Sequence, residues 1–189
     1  MDGDRFGTGA ERVELLDDVD EQLFREAISL FATGVTVITA RTAAGRAGMT
    51  ASAVCSLSME PVQLLVCISE RLPTHSALEE SRRFAVNVLG EGQSDLARRF
   101  ATPDIDKFAG TEVSESDGIP LLDRAIAHFV CDVHERFPGG DHSIFIGQVQ
   151  KLSLRRGSRP LLYFASQFGS LSSPEEALLK SWHDRGSVA

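Results

Sequence analysis

The residues of this 189-residue chain that could do chemistry are few, and they do not cluster. Cys55, Cys67 and Cys131 lack C-x-x-C spacing and sit in apolar, strand-like stretches. They read as small buried hydrophobes in a reducing cytoplasm, and no metal site is expected. Of the five histidines, His128 and His134 share one face of a strand pattern, and His183 lies in the C-terminal tail. His142 differs. It follows Pro138-Gly139-Gly140-Asp141, a tight turn where backbone and imidazole can both face a ligand, or where the ring can simply pair with Asp141. No Walker loop, H-E-x-x-H, G-x-S-x-G or EF-hand loop is present. Gly7-Thr8-Gly9 and Gly90-Glu91-Gly92 are the nearest approach to a dinucleotide fingerprint, and neither follows a strand with its third glycine in place.

Composition narrows the class. An apolar fraction of 42% with 24% charged residues supports a normal core in one domain. The formal charge is −8, of which −5 lies in residues 1–20, so the remaining chain is nearly balanced. Without a basic stripe, nucleic-acid binding is disfavoured. The acidic start is not a secretory signal, and no apolar run approaches membrane-spanning length. A cytoplasmic protein is expected.

These residues must be positioned mostly by strands. Helical spacing predicts a helix over Asp20–Ala32, capped by Asp20. Strands are expected over 35–40, 49–59 and 62–69, with a turn at 42–48 and Pro61 breaking the run. A short helix is expected over Pro73–Ser81, a strand over Phe84–Leu89 and a helix over 91–101. A loop-rich stretch then runs to 124. Residues 125–137 alternate as a half-buried strand should, 143–154 form a long strand, and Leu161–Ala165 a last one. Ser173-Pro174-Glu175-Glu176 opens a capped terminal helix. About seven strands linked by turns imply an antiparallel barrel with flanking helices, a mainly β, α+β class. The division expected is an acidic extension over 1–19, a body over 20–171, and a helix and tail over 172–189.

Ordered segments resemble one family. They are Phe31-Ala32-Thr33-Gly34-Val35-Thr36-Val37-Ile38-Thr39, Gly48-Met49-Thr50-Ala51-Ser52, Phe84-Ala85-Val86-Asn87-Val88-Leu89, Gly140-Asp141-His142 and Pro160-Leu161-Leu162-Tyr163-Phe164. Together they are similar to the flavin reductases that serve two-component monooxygenases, over about residues 20–171. The resemblance implies a split β-barrel of Greek-key type that binds flavin at a homodimer interface. It implies hydride transfer from NADH or NADPH, and release of reduced flavin to a separate oxygenase in aromatic or natural-product metabolism. FAD and NADH are the favoured pair; FMN and NADPH are the alternatives.

It also implies a site. Met49, Thr50, Ala51 and Ser52 would approach the flavin through small side chains and main-chain groups, with Ser56 and Leu57 next along the strand. Cys67, Ile68 and Ser69 are placed for ring and ribityl contacts, or for core packing. Arg71, Thr74 and His75 resemble the segment that meets the flavin phosphate, where a helix start offers free N–H groups. Asn87 is a buried amide that needs partners, from the flavin edge or from a neighbouring strand. Val88, Leu89 and Phe100 complete the flavin side. His142 borders the nicotinamide, with Tyr163 and Phe164 near it, and no indispensable acid or base is implied. Rival readings are a split-barrel oxidase that retains its flavin and a non-catalytic flavin-binding module.

Overall fold

The computed structural model describes residues 15–171. Most of the acidic leader and the capped helix expected after Ser173 lie outside the described residues. Asp20 caps the first helix as its sequence implies, its carboxylate accepting the Leu23 N–H at 2.7 Å. That helix, α1 (Glu21–Ser29), ends short of Ala32 because Thr33–Gly34 forms a strand, β1, paired with Leu162 and Tyr163. No α1 residue is buried, and Phe24, Ile28 and Phe31 stand 59%, 53% and 70% exposed.

β2 (Thr36–Thr42) and β3 (Gly45–Ala51) form a hairpin whose turn is only Ala43–Ala44, far tighter than the loop expected. The single strand expected over 49–59 is broken at Ser52–Ala53, and β4 (Val54–Met59) follows. Glu60–Pro61, joined by a cis peptide, turns the chain into β5 (Val62–Ser69). Then come α2 (Pro73–Ser81), β6 (Arg83–Val88) and α3 (Ser94–Ala101), close to where the sequence pattern puts them. The stretch read as loop holds a second hairpin, β7 (Val113–Ser116) and β8 (Ile119–Leu122). Its turn is Asp117–Gly118, with φ of 49° and 82°, the left-handed pair that an Asp-Gly hairpin favours. The long strands β9 (Ala127–Gly139) and β10 (His142–Leu154) follow. The last expected strand, 161–165, is β11 (Leu162–Phe164), and a further strand not expected, β12 (Gln167–Gly169), joins it and β1 in a small sheet.

The main sheet runs β3-β2-β6-β9-β10-β5-β4, every neighbour antiparallel. Ile38, Val66, Phe84 and Phe145 fill its inner face. The other face of β2 is also buried, because strand residues alternate sides and Val37 packs with Leu89, Phe100 and Leu122 under α3 and β8. β9 is likewise not half-buried throughout. The β7–β8 hairpin covers its second face, enclosing Val130 with Ala85 and Ile119.

Gly147 on β10 sits where a Cβ would lie 2.5 Å from the Phe84 ring and 2.9 Å from Cys131. Gly147→Ala is expected to destabilise the fold by about 1–3 kcal/mol, because neither neighbour can withdraw inside a packed barrel. A urea midpoint unchanged from wild type would contradict this.

Candidate functional site

Ser52 and Ala53 border a cleft of about 1050 Å³. One wall comes from α1 and β1, including Phe31 and Thr33, and the other from β4 and β5, including Ser56 and Cys67. Val88 of β6 and Tyr163 of β11 also line it. The walls are largely apolar, with a few hydroxyls and the Gln63 amide as polar groups. One of those hydroxyls is unusual: Thr33 Oγ1 is buried and has no hydrogen-bond partner. An orphaned buried hydroxyl costs free energy, and this one lies within the wall rather than open to the cleft.

β3 is held firmly behind the cleft. Thr36 Oγ1 donates to Ala51 O at 2.7 Å, and Thr50 Oγ1 donates to Ala97 O on α3 at 2.6 Å. Lys107 Nζ donates to Gly48 O at 3.2 Å and to Phe100 O at 2.9 Å. Burial lowers the Lys107 pKa, opposed by Asp104. A Cβ on Gly48 would stand 2.7 Å from the Phe100 ring, so glycine there lets α3 lie directly on the strand. In the cleft wall, burial and the nearby Cys55 push the Cys67 thiol up, which keeps it neutral at pH 7.

A second cluster lies at the far end of β5. His142 pairs with Ser69 across β5 and β10. Directly opposite residues share a face, so His142 continues the side of β5 that shows Cys67 to the cleft. His142 Nδ1 lies 2.8 Å from Asp141 Oδ1, and this hydrogen bond is the main reason that the Asp141 carboxyl is held below its ordinary range.

Three comparisons bear on this geometry. A family model described as a flavin reductase like domain matches residues 28–172. The chain belongs to the flavin reductase family. It is 40% identical over 155 residues to the reductase component of a 4-nitrophenol 4-monooxygenase/4-nitrocatechol 2-monooxygenase of Rhodococcus opacus, covering 82% of this chain and 83% of that one. It is also 40% identical over 156 residues to the actinorhodin polyketide dimerase of Streptomyces coelicolor, covering 82% and 88%. Among solved structures it resembles the NADH:FAD oxidoreductase of Streptomyces globisporus in complex with NAD and FAD fragments. The TM-score is 0.81 at 33% identity, over 86% of this chain and 99% of that one. The antiparallel sheet with β3 and β4 at its two edges is of the split-barrel type of these flavin reductases.

Of the residues expected around the flavin, Ser52, Ser56, Cys67 and Val88 line the cleft, as does Tyr163 from the nicotinamide group. Met49, Thr50 and Ala51 form the strand behind it, Met49 packing on the barrel core. Leu57 is exposed on β4 and Phe164 on β11. Ser69, Arg71 and His75 lie instead around the Asp141–Ser143 segment, with Arg71 helping to hold the Asp141 carboxyl down, and Thr74 is buried in the first turn of α2.

Several expectations are corrected. Asn87 cannot serve the flavin edge. It is fully buried, its Nδ2 donates to Val37 O and Thr39 Oγ1, and its Oδ1 accepts the Leu122 N–H. Ile68, Leu89 and Phe100 are core residues, Phe100 meeting Phe108 edge-on. Thr74 and His75 are buried, His75 turned inward onto Ser143, so neither offers a phosphate its side chain. Cys55 is exposed and Cys67 only partly buried; Cys131 alone behaves as the buried thiol expected, burial pushing it up to about 12. Thr33 went unread as a site residue. It lies inside the segment that carries the family resemblance, but its orphaned hydroxyl is a tertiary fact.

Asn87→Ala is expected to cost about 2–3 kcal/mol, since it strands the buried Leu122 N–H and removes two donors. Flavin affinity of the folded variant is expected to stay within about twofold of wild type. Fluorescence titration with FAD beside chemical denaturation checks both, and a large loss of affinity at unchanged stability would restore Asn87 to the flavin site.

Proposed function

We propose that the chain passes a hydride from NADH to FAD and releases the reduced flavin to a separate flavin-dependent monooxygenase of aromatic or natural-product metabolism. The observation that carries this reading is the largely apolar cleft of about 1050 Å³ bordered by Ser52, Ser56 and Cys67, in a chain of the flavin reductase family. FMN and NADPH are the alternative pair. Both relatives compared by sequence carry names from such settings, nitrophenol oxidation and polyketide dimerisation.

The flavin supplies a two-electron acceptor for the nicotinamide hydride, a solvent proton completing the reduction. The chain's own residues bind and align. The hydroxyls of Ser52 and Ser56 offer hydrogen bonds to polar edges, while Val54 and Val88 exclude water from the ring. The neutral Cys67 thiol adds no charge. His142, braced by Asp141, presents its free Nε2 edge to the nicotinamide amide or phosphate. No side chain need give or take a proton, since alignment alone removes much of the barrier.

The working unit is a homodimer in the cytoplasm. The exposed apolar row of Phe24, Ile28 and Phe31 flanks the open cleft, with Met59 and Val62 across from it, and a second copy would cover both. The free thiols suit a reducing compartment. No helix among the described residues is long and apolar enough to cross a membrane.

Anaerobic mixing of the protein with NADH and FAD is expected to bleach the flavin band near ~450 nm. A flavin spectrum that does not change would overturn the reading. Flavin that stays with the protein through gel filtration in both redox states would favour a retained-flavin oxidase instead. His142→Ala is expected to raise the NADH KM about tenfold, or 1.4 kcal/mol, while leaving the FAD KM in place. Unchanged nicotinamide KM and turnover would reject the role given to His142.

A further inference from the structure

Beneath the turn that carries His142 runs a chain of polar side chains that the reductase reading does not use. Arg136 of β9 pairs with Glu79 of α2. The other Glu79 oxygen lies 3.6 Å from His75 Nδ1. His75 Nε2 is 2.9 Å from Ser143 Oγ, the Ser143 hydroxyl donates to Glu70 Oε1 at 3.1 Å, and the Glu70 N–H donates to Asp141 O at 3.1 Å. His75 is 5% exposed and Ser143 fully buried. Because Ser143 gives its proton to Glu70, His75 must be the donor in the bond between them.

This arrangement is costly for a barrel end that apolar residues could fill. Buried polar groups lose solvation and recover it only when bonded. The bonded run from His75 through Ser143 to Glu70, in exchange, favours one geometry over its neighbours. Here the object fixed is specific. The set ends on the carbonyl of Asp141, inside the two-residue turn Gly140–Asp141, immediately before His142. It ties that turn to Glu70, the residue after the end of β5.

We infer that His75, Ser143 and Glu70 are positioning residues for the nicotinamide half of the site, holding the Asp141–His142 turn against the end of β5. The inference rests on the proposed contact between His142 and the nicotinamide. Its content is that the network sets where the imidazole stands, so breaking it loosens NADH and spares the flavin.

Steady-state kinetics of the full-length chain test it, with NADH and FAD varied separately. Ser143→Ala, which deletes two hydrogen bonds, and His75→Phe, which deletes the one to Ser143, are each expected to raise the NADH KM about fivefold to tenfold, with the FAD KM within about twofold. His75→Gln, which can donate to Ser143 again, is expected to recover most of that loss. A purely structural role would lower the melting temperature and the active fraction without separating the two KM values. The inference is overturned if Ser143→Ala and His75→Phe leave the NADH KM unchanged, or if both KM values rise together. Should His75→Phe fail to fold, Ser143→Ala, which deletes one oxygen, decides. His142→Ala separates the two levels. An unchanged NADH KM in that variant removes the underlying contact and this inference with it. A raised KM there, with Ser143→Ala and His75→Phe unmoved, removes the network alone.

Discussion

Two residues, Ser52 and Ala53, carry the chain from one edge of a seven-stranded sheet to the other. Three peptide units reach about 10 Å at full extension. Seven strands laid flat would span about 29 Å between edge axes, at their ordinary spacing. The sheet therefore has to curl until β3 and β4 nearly meet, and the short crossing fixes where they do. The edges are brought close without being paired, which leaves a seam with free backbone groups beside it. The cleft opens at this crossing, where Ser52 and Ala53 line it together with β4 and β5.

An edge strand beside an open seam would slip or fray unless something held it. Here the restraint comes from behind. Thr36 and Thr50 give their hydroxyls to backbone carbonyls, and Lys107 gives its ammonium to Gly48 and Phe100. Asn87 does the same one layer deeper, joining β2, β6 and β8 through one carboxamide. Polar residues that looked ready for a ligand are thus used to build the wall on which a ligand can rest. His75 and Ser143 follow the same pattern at the other end of β5. The division is physical: a side chain whose every donor and acceptor is taken has nothing left for flavin.

That division explains what could be read in advance. The helix cap at Asp20, the Pro73–Ser81 helix and the β9–β10 turn follow from local rules, and they stand where the sequence puts them. The Asp117–Gly118 hairpin obeys the same turn rule, but its strands of four residues each are too short for alternation to mark them. The break at Ser52–Ala53 was not legible, since nothing in the Met49–Met59 stretch marks a loss of strand character; only closure of the sheet demands it. At the site, segment resemblance located the strands correctly but could not tell which face each residue shows. Ile68 and Cys67 are neighbours in sequence, yet one is core and the other cleft. Local pattern does not mark Asn87 and Phe100 as interior, because burial against Leu122 and Phe108 is decided by a hairpin more than twenty residues beyond Asn87 and by a loop that folds back on α3.

The cleft's electrostatics bear on the difference between a supplier of reduced flavin and an enzyme that keeps it. Among the described residues that line it, Arg25 is the one charged side chain, and it is paired with Glu21 on the exposed side of α1. The remaining polar groups are neutral hydroxyls, an amide and thiols, and the nearby Lys107 ammonium is committed to two carbonyls. Reduction adds negative charge to a flavin. A wall with a fixed, free cation would bind the reduced form more tightly than the oxidised form, and the product would stay. A neutral wall discriminates little between them, because a binding site can favour one state only by the difference in its interactions with the two. A flavin held along such a lining, as proposed above, would meet apolar contact and a few uncharged hydrogen bonds, the condition under which the product of each turnover could leave.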